Sequence, residues 1–136
     1  QVTLTEELAH LQLYLDIEKV RFGHRLMTEI SCDKKCQDCK LPPMILQPIV
    51  ENAIKFGLYD TTESVTVSLR AEWEDNYLIL MIQNPYDPKT ARPRKGTGFG
   101  LSGVQRRLDL LFARTDLIET HANDNIFTTI IKIPQV

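Results

Sequence analysis

Three short segments of this chain carry polar residues that a folded core alone does not demand. In LPPMILQPIVENAIKFG, Glu51, Asn52 and Lys55 place a carboxylate, an amide oxygen and an ammonium within little more than one helical turn. Magnesium takes hard oxygen ligands and shares them with nucleotide phosphates, so the set could serve a metal bound to phosphate. The same three residues also read as an ordinary solvated helix face. Further on, Gly96-Thr97-Gly98-Phe99-Gly100-Leu101 runs straight into a helical pattern, with Arg94 and Lys95 beside it. Glycines let backbone N–H groups approach phosphate oxygens, and a helix N-terminus adds a favourable dipole. The third segment, Asn84-Pro85-Tyr86-Asp87, ends an apolar stretch. A polar side chain emerging there can read a base edge through directional hydrogen bonds, or simply open an Asn-Pro turn.

These segments need elements to hold them, and the periodicity supplies a set. Thr3 to Glu6 reads as a capping box ahead of a helical stripe at Leu4, Leu8, Leu11 and Leu15, running to about Val20. Leu26 to Cys32 reads as a short strand. Pro42-Pro43 then opens a helix that ends at Gly57, with Ile45, Leu46, Ile49, Val50, Ala53, Ile54 and Phe56 on its apolar face. Gln47, Glu51 and Lys55 line the opposite face, with Asn52 at the border. Pro48 lacks an N–H, so regular turns are expected only from about that point. Val65 to Trp73 alternates in and out as a half-buried strand, Asp75-Asn76 turns, and Tyr77 to Gln83 is a more buried strand. Asn84 to Thr97 has no period and reads as a loop. Leu101, Val104, Leu108 and Leu111 restore helical spacing, and Leu117–His121 and Ile126–Ile133 are two strands around a turn. Tightly joined strands imply an antiparallel or mixed sheet with helices on one face.

Composition narrows the function class. The length is that of one domain, and a formal net charge of −2 gives no reason to expect nucleic acid or an anionic membrane as partner. No apolar run approaches the roughly 20 residues of a membrane span. The opening QVTLTEEL starts with a helix signal already under way, which fits a piece of something longer. Cys32, Cys36 and Cys39 form C-x3-C-x2-C, a spacing also met around iron–sulfur clusters and zinc. An odd cysteine count without further ligands reads instead as chance thiols in a surface loop of a reduced protein. Gly98, Gly100 and Gly103 spell the dinucleotide fingerprint, but a proline-broken loop precedes them and only a hairpin follows, so a Rossmann unit is excluded.

Taken in order, the segments resemble the GHKL ATPases, the superfamily of gyrase, heat-shock chaperones, histidine kinases and mismatch-repair proteins. LPPMILQPIVENAIKFG is similar to the N box of the LytS-type sensor histidine kinases, and GTGFGLSGVQRRLDLLF to their glycine box and following helix. EELAHLQLYLDIEKVRFGHRL resembles the segment that these kinases carry just before the nucleotide domain. The resemblance implies an α+β fold, a two-layer sandwich of the Bergerat type with a mixed, mostly antiparallel sheet. It implies residues 1–24 as a linker helix from a dimerisation segment and 25–136 as the histidine-kinase ATP-binding domain.

Carried over by position, Asn52 matches the amide that holds Mg2+ between the phosphates of ATP, Glu51 the neighbouring acidic position and Lys55 a basic or polar position near the phosphates. Gly96, Gly98 and Gly100, flanked by Lys95 and Leu101, match the phosphate-binding glycines at the hinge of an ATP lid spanning Pro85 to Thr97. Asn84, with Asp87 in the same turn, falls where the superfamily has an aspartate that accepts from the adenine amino group. The family's D-x-G-x-G reads Asn84-Pro85-Tyr86-Asp87-Pro88, without either glycine, and Phe56 replaces a common histidine.

The implied partners are ATP, a histidine-bearing dimerisation segment of the same kinase and a response regulator. The implied parent is a homodimeric inner-membrane kinase with this domain in the cytoplasm. His10, His24 and His121 lack the acceptor's usual Pro-His-Phe surroundings, so the chain alone is not expected to phosphorylate itself. A second reading keeps the fold and drops the enzyme: a degenerate domain that binds nucleotide weakly or not at all and serves as an interaction module.

Overall fold

Alternation from Val65 onward calls for a strand with one dry face, and the computed structural model, which describes residues 1–58, 64–85 and 101–135, places β4 (Val65–Glu74) there. Before it come β1 (Val2–Thr3), α1 (Leu4–Phe22), β2 (Leu26–Cys32), β3 (Lys40–Leu41) and α2 (Leu46–Leu58). After it come β5 (Tyr77–Pro85), α3 (Leu101–Phe112), β6 (Ile118–Asn123) and β7 (Ile126–Pro134). The main sheet has the order β2-β4-β5-β7-β6, with β2 and β4 parallel and every other pair antiparallel. Its two hairpins turn at Asp75-Asn76 and Asp124-Asn125, all four residues at positive φ. That is the backbone that two-residue hairpin loops prefer, and Asn and Asp tolerate it better than most side chains.

One face of the sheet is dry. Val65, Val67, Leu69 and Ala71 of β4, Leu78, Leu80 and Ile82 of β5, and Ile131 and Ile133 of β7 are buried there. Helix α2 covers β4 and β5 with Leu46, Ile49, Val50, Ala53 and Ile54, and α3 adds Val104 and Leu108. The fold is thus α+β, a mixed sheet layered with helices. Helix α1 starts on the expected capping box: Thr3 Oγ1 accepts the Glu6 N–H at 3.2 Å and Glu6 Oε1 accepts the Thr3 N–H at 3.1 Å. Its Leu4, Leu11 and Leu15 enter the same core as the sheet. Among the described residues no helix is long and apolar enough to cross a membrane.

Several local expectations shift. Helix α2 begins at Leu46 rather than at Pro42. Met44 stands at φ 62°, outside the right-handed helical region, so regular turns can start only after it. Pro48 then falls in the first turn, where its missing N–H has no intrahelical acceptor to lose. Gly57 lies inside the last turn of α2 rather than capping it. Trp73, beside the hairpin turn, and Leu111, on the outer side of α3, are exposed. The largest shift concerns the cysteines. Cys36 and Cys39 are buried members of the hydrophobic core, in a short 3₁₀ turn and the residues after it, and not surface-loop residues.

Candidate functional site

Helix α2 packs on β4 and β5 through its apolar face, and this packing turns Asn52 inward. Asn52 is only 5% exposed, and its Oδ1 has no hydrogen-bond partner among the described residues. Leaving a buried acceptor unpaired costs about 1–3 kcal/mol, which a purely structural residue gives no reason to bear. A neutral amide oxygen is a hard ligand of the kind magnesium accepts, and magnesium commonly keeps waters and phosphate oxygens for the rest of its shell. The residue present therefore fits such an ion.

The sequence placed Glu51, Asn52 and Lys55 side by side, but the structure separates them. Glu51 and Lys55 are exposed, and Glu51 Oε1 accepts from Gln47 Nε2 at 2.9 Å across one helical turn. Only Asn52 faces the layer between helix and sheet.

Asn84 reaches that layer from the other side. It is the fourth inward residue of β5 after Leu78, Leu80 and Ile82, and it is 4% exposed. Its Nδ2 donates to the Pro85 carbonyl at 3.1 Å. A carbonyl can only accept, so this bond fixes which end of the amide is which and leaves Oδ1 to accept from elsewhere. Thr129 of β7, 2% exposed, stands opposite Ile82 in register and so lies diagonally across from Asn84. The sequence analysis missed it. The signal was present: Thr129 interrupts the inward row it shares with Ile131 and Ile133.

Glu7 was missed in the same way. It is a carboxyl group on the buried stripe of Leu4, Leu11 and Leu15, and it is 4% exposed. Glu7, Asn52, Asn84 and Thr129 are the buried polar residues among those described.

Leu101 opens α3 and packs half-buried against the core. Asp87, Lys95, Gly96, Gly98 and Gly100 lie outside the described residues, as does nearly all of the segment assigned to a lid.

The cysteines gather without forming a metal site. Among the described residues no group of three or more His, Cys, Asp or Glu side chains is arranged to hold a metal. Burial raises the pKa of all three thiols, and with Cys39 and Cys32 nearby that of Cys36 is pushed up to about 11. They behave as small core residues.

No protein-family model matches the chain. The sensor histidine kinase BtsS of Escherichia coli (strain K12) is 38% identical over 110 residues, 79% of this chain and 19% of that protein. Sensor protein LytS of Staphylococcus epidermidis is 28% identical over 144 residues, 98% of this chain and 24% of that protein. The catalytic domain of histidine kinase ThkA superposes with a TM-score of 0.72 at 18% identity, covering 98% of this chain and 92% of that one. This chain is a relative of the LytS-type sensor histidine kinases, with the fold of the ThkA catalytic domain. The ThkA likeness speaks for the fold. The two curated relatives speak for the family, and the chain spans 19% and 24% of their lengths.

Proposed function

We propose that this domain binds Mg-ATP and donates the γ-phosphoryl group to a histidine on a separate dimerisation segment of the same kinase. The observation that carries this is the buried, unpartnered Oδ1 of Asn52, on a helix packed against the strand that carries Asn84. In this reading Asn52 supplies one oxygen to a magnesium ion that neutralises the charge building up on the transferring phosphate. Asn84 accepts the adenine amino group through the oxygen left free by its bond to Pro85. Lys95, Gly96, Gly98 and Gly100, with Leu101 at the start of α3, are assigned to the phosphates, Asp87 to the adenine, and Glu51 and Lys55 to the outer edge of the site.

The acceptor nitrogen attacks the γ-phosphorus, the bond to the β,γ-bridging oxygen breaks, and ADP leaves. His10, His24 and His121 are all exposed, and His121 sits 3.5 Å from Glu119 on β6, so none is offered to this layer. In this reading the domain alone transfers nothing to itself, because none of the three has the acceptor's Pro-His-Phe surroundings. Residues 1–24 link it to the dimerisation segment, and 25–136 form the nucleotide domain. The whole kinase is a homodimer in the inner membrane, with this domain in the cytoplasm and a response regulator as its target. A structure of ThkA in complex with the response regulator protein TrrA, matched with a TM-score of 0.69 at 15% identity over 98% of this chain and 41% of that one, supports that choice of partner.

One observation favours a second reading. Strand β5 stays paired through Asn84 and Pro85, opposite Phe127 and Ile126, and in the sequence Tyr86 and Pro88 stand where the family's motif has its two glycines. A domain closed at that point would bind nucleotide weakly and act as an interaction module. Thermal melting separates the two. A ligand at a hundred times its Kd adds about 2.7 kcal/mol to stability. ATP with magnesium is expected to raise Tm, and an unchanged Tm at millimolar ATP favours the module.

A further inference from the structure

Residues 43–46, at the entrance to α2, are held from two other helices. Glu7 of α1 reaches across with both carboxyl oxygens: Oε1 accepts the Met44 N–H at 3.1 Å, and Oε2 accepts those of Ile45 and Leu46 at 2.9 and 3.1 Å. The first N–H groups of a helix have no intrahelical acceptor, and an oxygen on the preceding residue usually serves them. Here that residue is Ile45, which has none, so Glu7 performs the cap from another element. Arg107 of α3 holds the other side of the same segment, donating Nη1 to the Met44 carbonyl at 3.1 Å and Nη2 to the Pro43 carbonyl at 2.6 Å. Between these two grips Met44 adopts φ 62°, a left-handed backbone that a residue with a Cβ takes only when its surroundings impose it.

We infer that this joint sets where α2 begins, and that Glu7 is thereby a positioning residue for Asn52, coupling the placement of α1 to the metal-binding amide. The inference rests on the reading of Asn52 given above. Three features converge on it: a buried carboxyl group that serves three N–H groups of one turn, a guanidinium that serves two carbonyls of the same turn, and a strained residue between them. Because α1 lies upstream of α2 and α3 follows the glycine segment, a shift of α1 along its axis would move the start of α2 and carry Asn52 with it.

The test compares Glu7→Gln with Leu15→Ala, a variant that loosens the packing of α1 without touching the joint. Gln keeps the size of Glu7 but turns an NH2 toward N–H groups that need an acceptor. Binding of ATP with and without magnesium is measured by calorimetry at a temperature where each variant is folded. Amide hydrogen exchange across residues 46–54 is measured on the nucleotide-free protein.

The expected result for Glu7→Gln is faster exchange through Asn52 and at least a tenfold loss of affinity in magnesium, with magnesium-free affinity within twofold of wild type. Leu15→Ala is expected to melt earlier with both binding constants intact. If Glu7→Gln does not fold, Arg107→Gln releases the same turn from its other side and should show the same pattern. Unchanged exchange and unchanged magnesium dependence in the folded variant overturn the inference, as does an equal loss in Leu15→Ala. A wild-type protein that binds no ATP overturns the proposed function instead, and the exchange result still decides the coupling.

Discussion

Asn52 and Asn84 meet the same helix–sheet layer from opposite sides, one from α2 and the other from the inward row of β5, both almost fully buried. The amide of Asn84 is oriented by its bond to Pro85, whereas the oxygen of Asn52 has nothing to accept from among the described residues. That contrast separates an amide whose orientation is set by a bond within the fold from one whose oxygen has no partner among the described residues.

The contrast predicts the behaviour of Asn52→Leu. Replacing an unpaired buried amide with an apolar side chain of similar volume should leave the nucleotide-free domain as stable as before, or raise stability by about 1 kcal/mol. Magnesium-dependent ATP binding should disappear. Denaturant unfolding paired with nucleotide titration reads both effects, and a destabilised variant that still binds Mg-ATP would show Asn52 to be structural.

Asn84→Asp predicts an opposite trade. A carboxylate accepts more strongly than an amide oxygen, so ATP affinity should rise by roughly fivefold, about 1 kcal/mol. It also places a charge at a buried position and loses the donor to the Pro85 carbonyl, so the empty domain should melt earlier. If ATP affinity is unchanged while Tm falls, Asn84 does not face the base.

Much of this was legible in the sequence, because the signals were local. The Thr3–Glu6 capping box, the alternation of β4 as far as Ala71, the Asp75-Asn76 turn and the Val104 and Leu108 part of the α3 stripe each depend on neighbours in the chain, and each formed where expected. What was misread depends on distant contacts. Glu51 and Asn52 are adjacent in sequence, yet packing against β4 and β5 sends one to solvent and the other inside. The cysteines looked like loop residues because Lys34, Lys35, Gln37 and Asp38 surround them, but the polar neighbours face outward while Cys36 and Cys39 fill the core. Glu7 was hidden by its own chemistry. A carboxyl group on an apolar stripe makes sense only once the turn it caps, 37 to 39 residues later, is in view.

The cysteines make a chemical prediction. With its pKa raised from 9.0 to about 11, Cys36 holds about a hundredfold less thiolate than an ordinary cysteine near neutral pH, and the thiolate is the nucleophile. Iodoacetamide should therefore label Cys36 slowly in the folded protein and rapidly after guanidinium is added, as mass spectrometry of tryptic peptides would read. Because only the thiolate reacts, the rate should also climb as pH rises. Fast labelling of Cys36 at neutral pH in the folded state would contradict its burial.

For the fold itself, Leu108 is a direct probe, since it is fully buried where α3 joins the core. Leu108→Ala should cost about 2–5 kcal/mol in urea unfolding. A cost near zero would mean that α3 does not pack as described.

The central claim is that Asn52 holds the magnesium of a bound ATP, and calorimetric titration of this chain with ATP, with and without magnesium and beside Asn52→Ala, tests it most directly. The account predicts binding that strengthens with magnesium in the wild type and loses that dependence in the variant. No binding up to millimolar nucleotide, or binding that ignores both magnesium and the substitution, would contradict it.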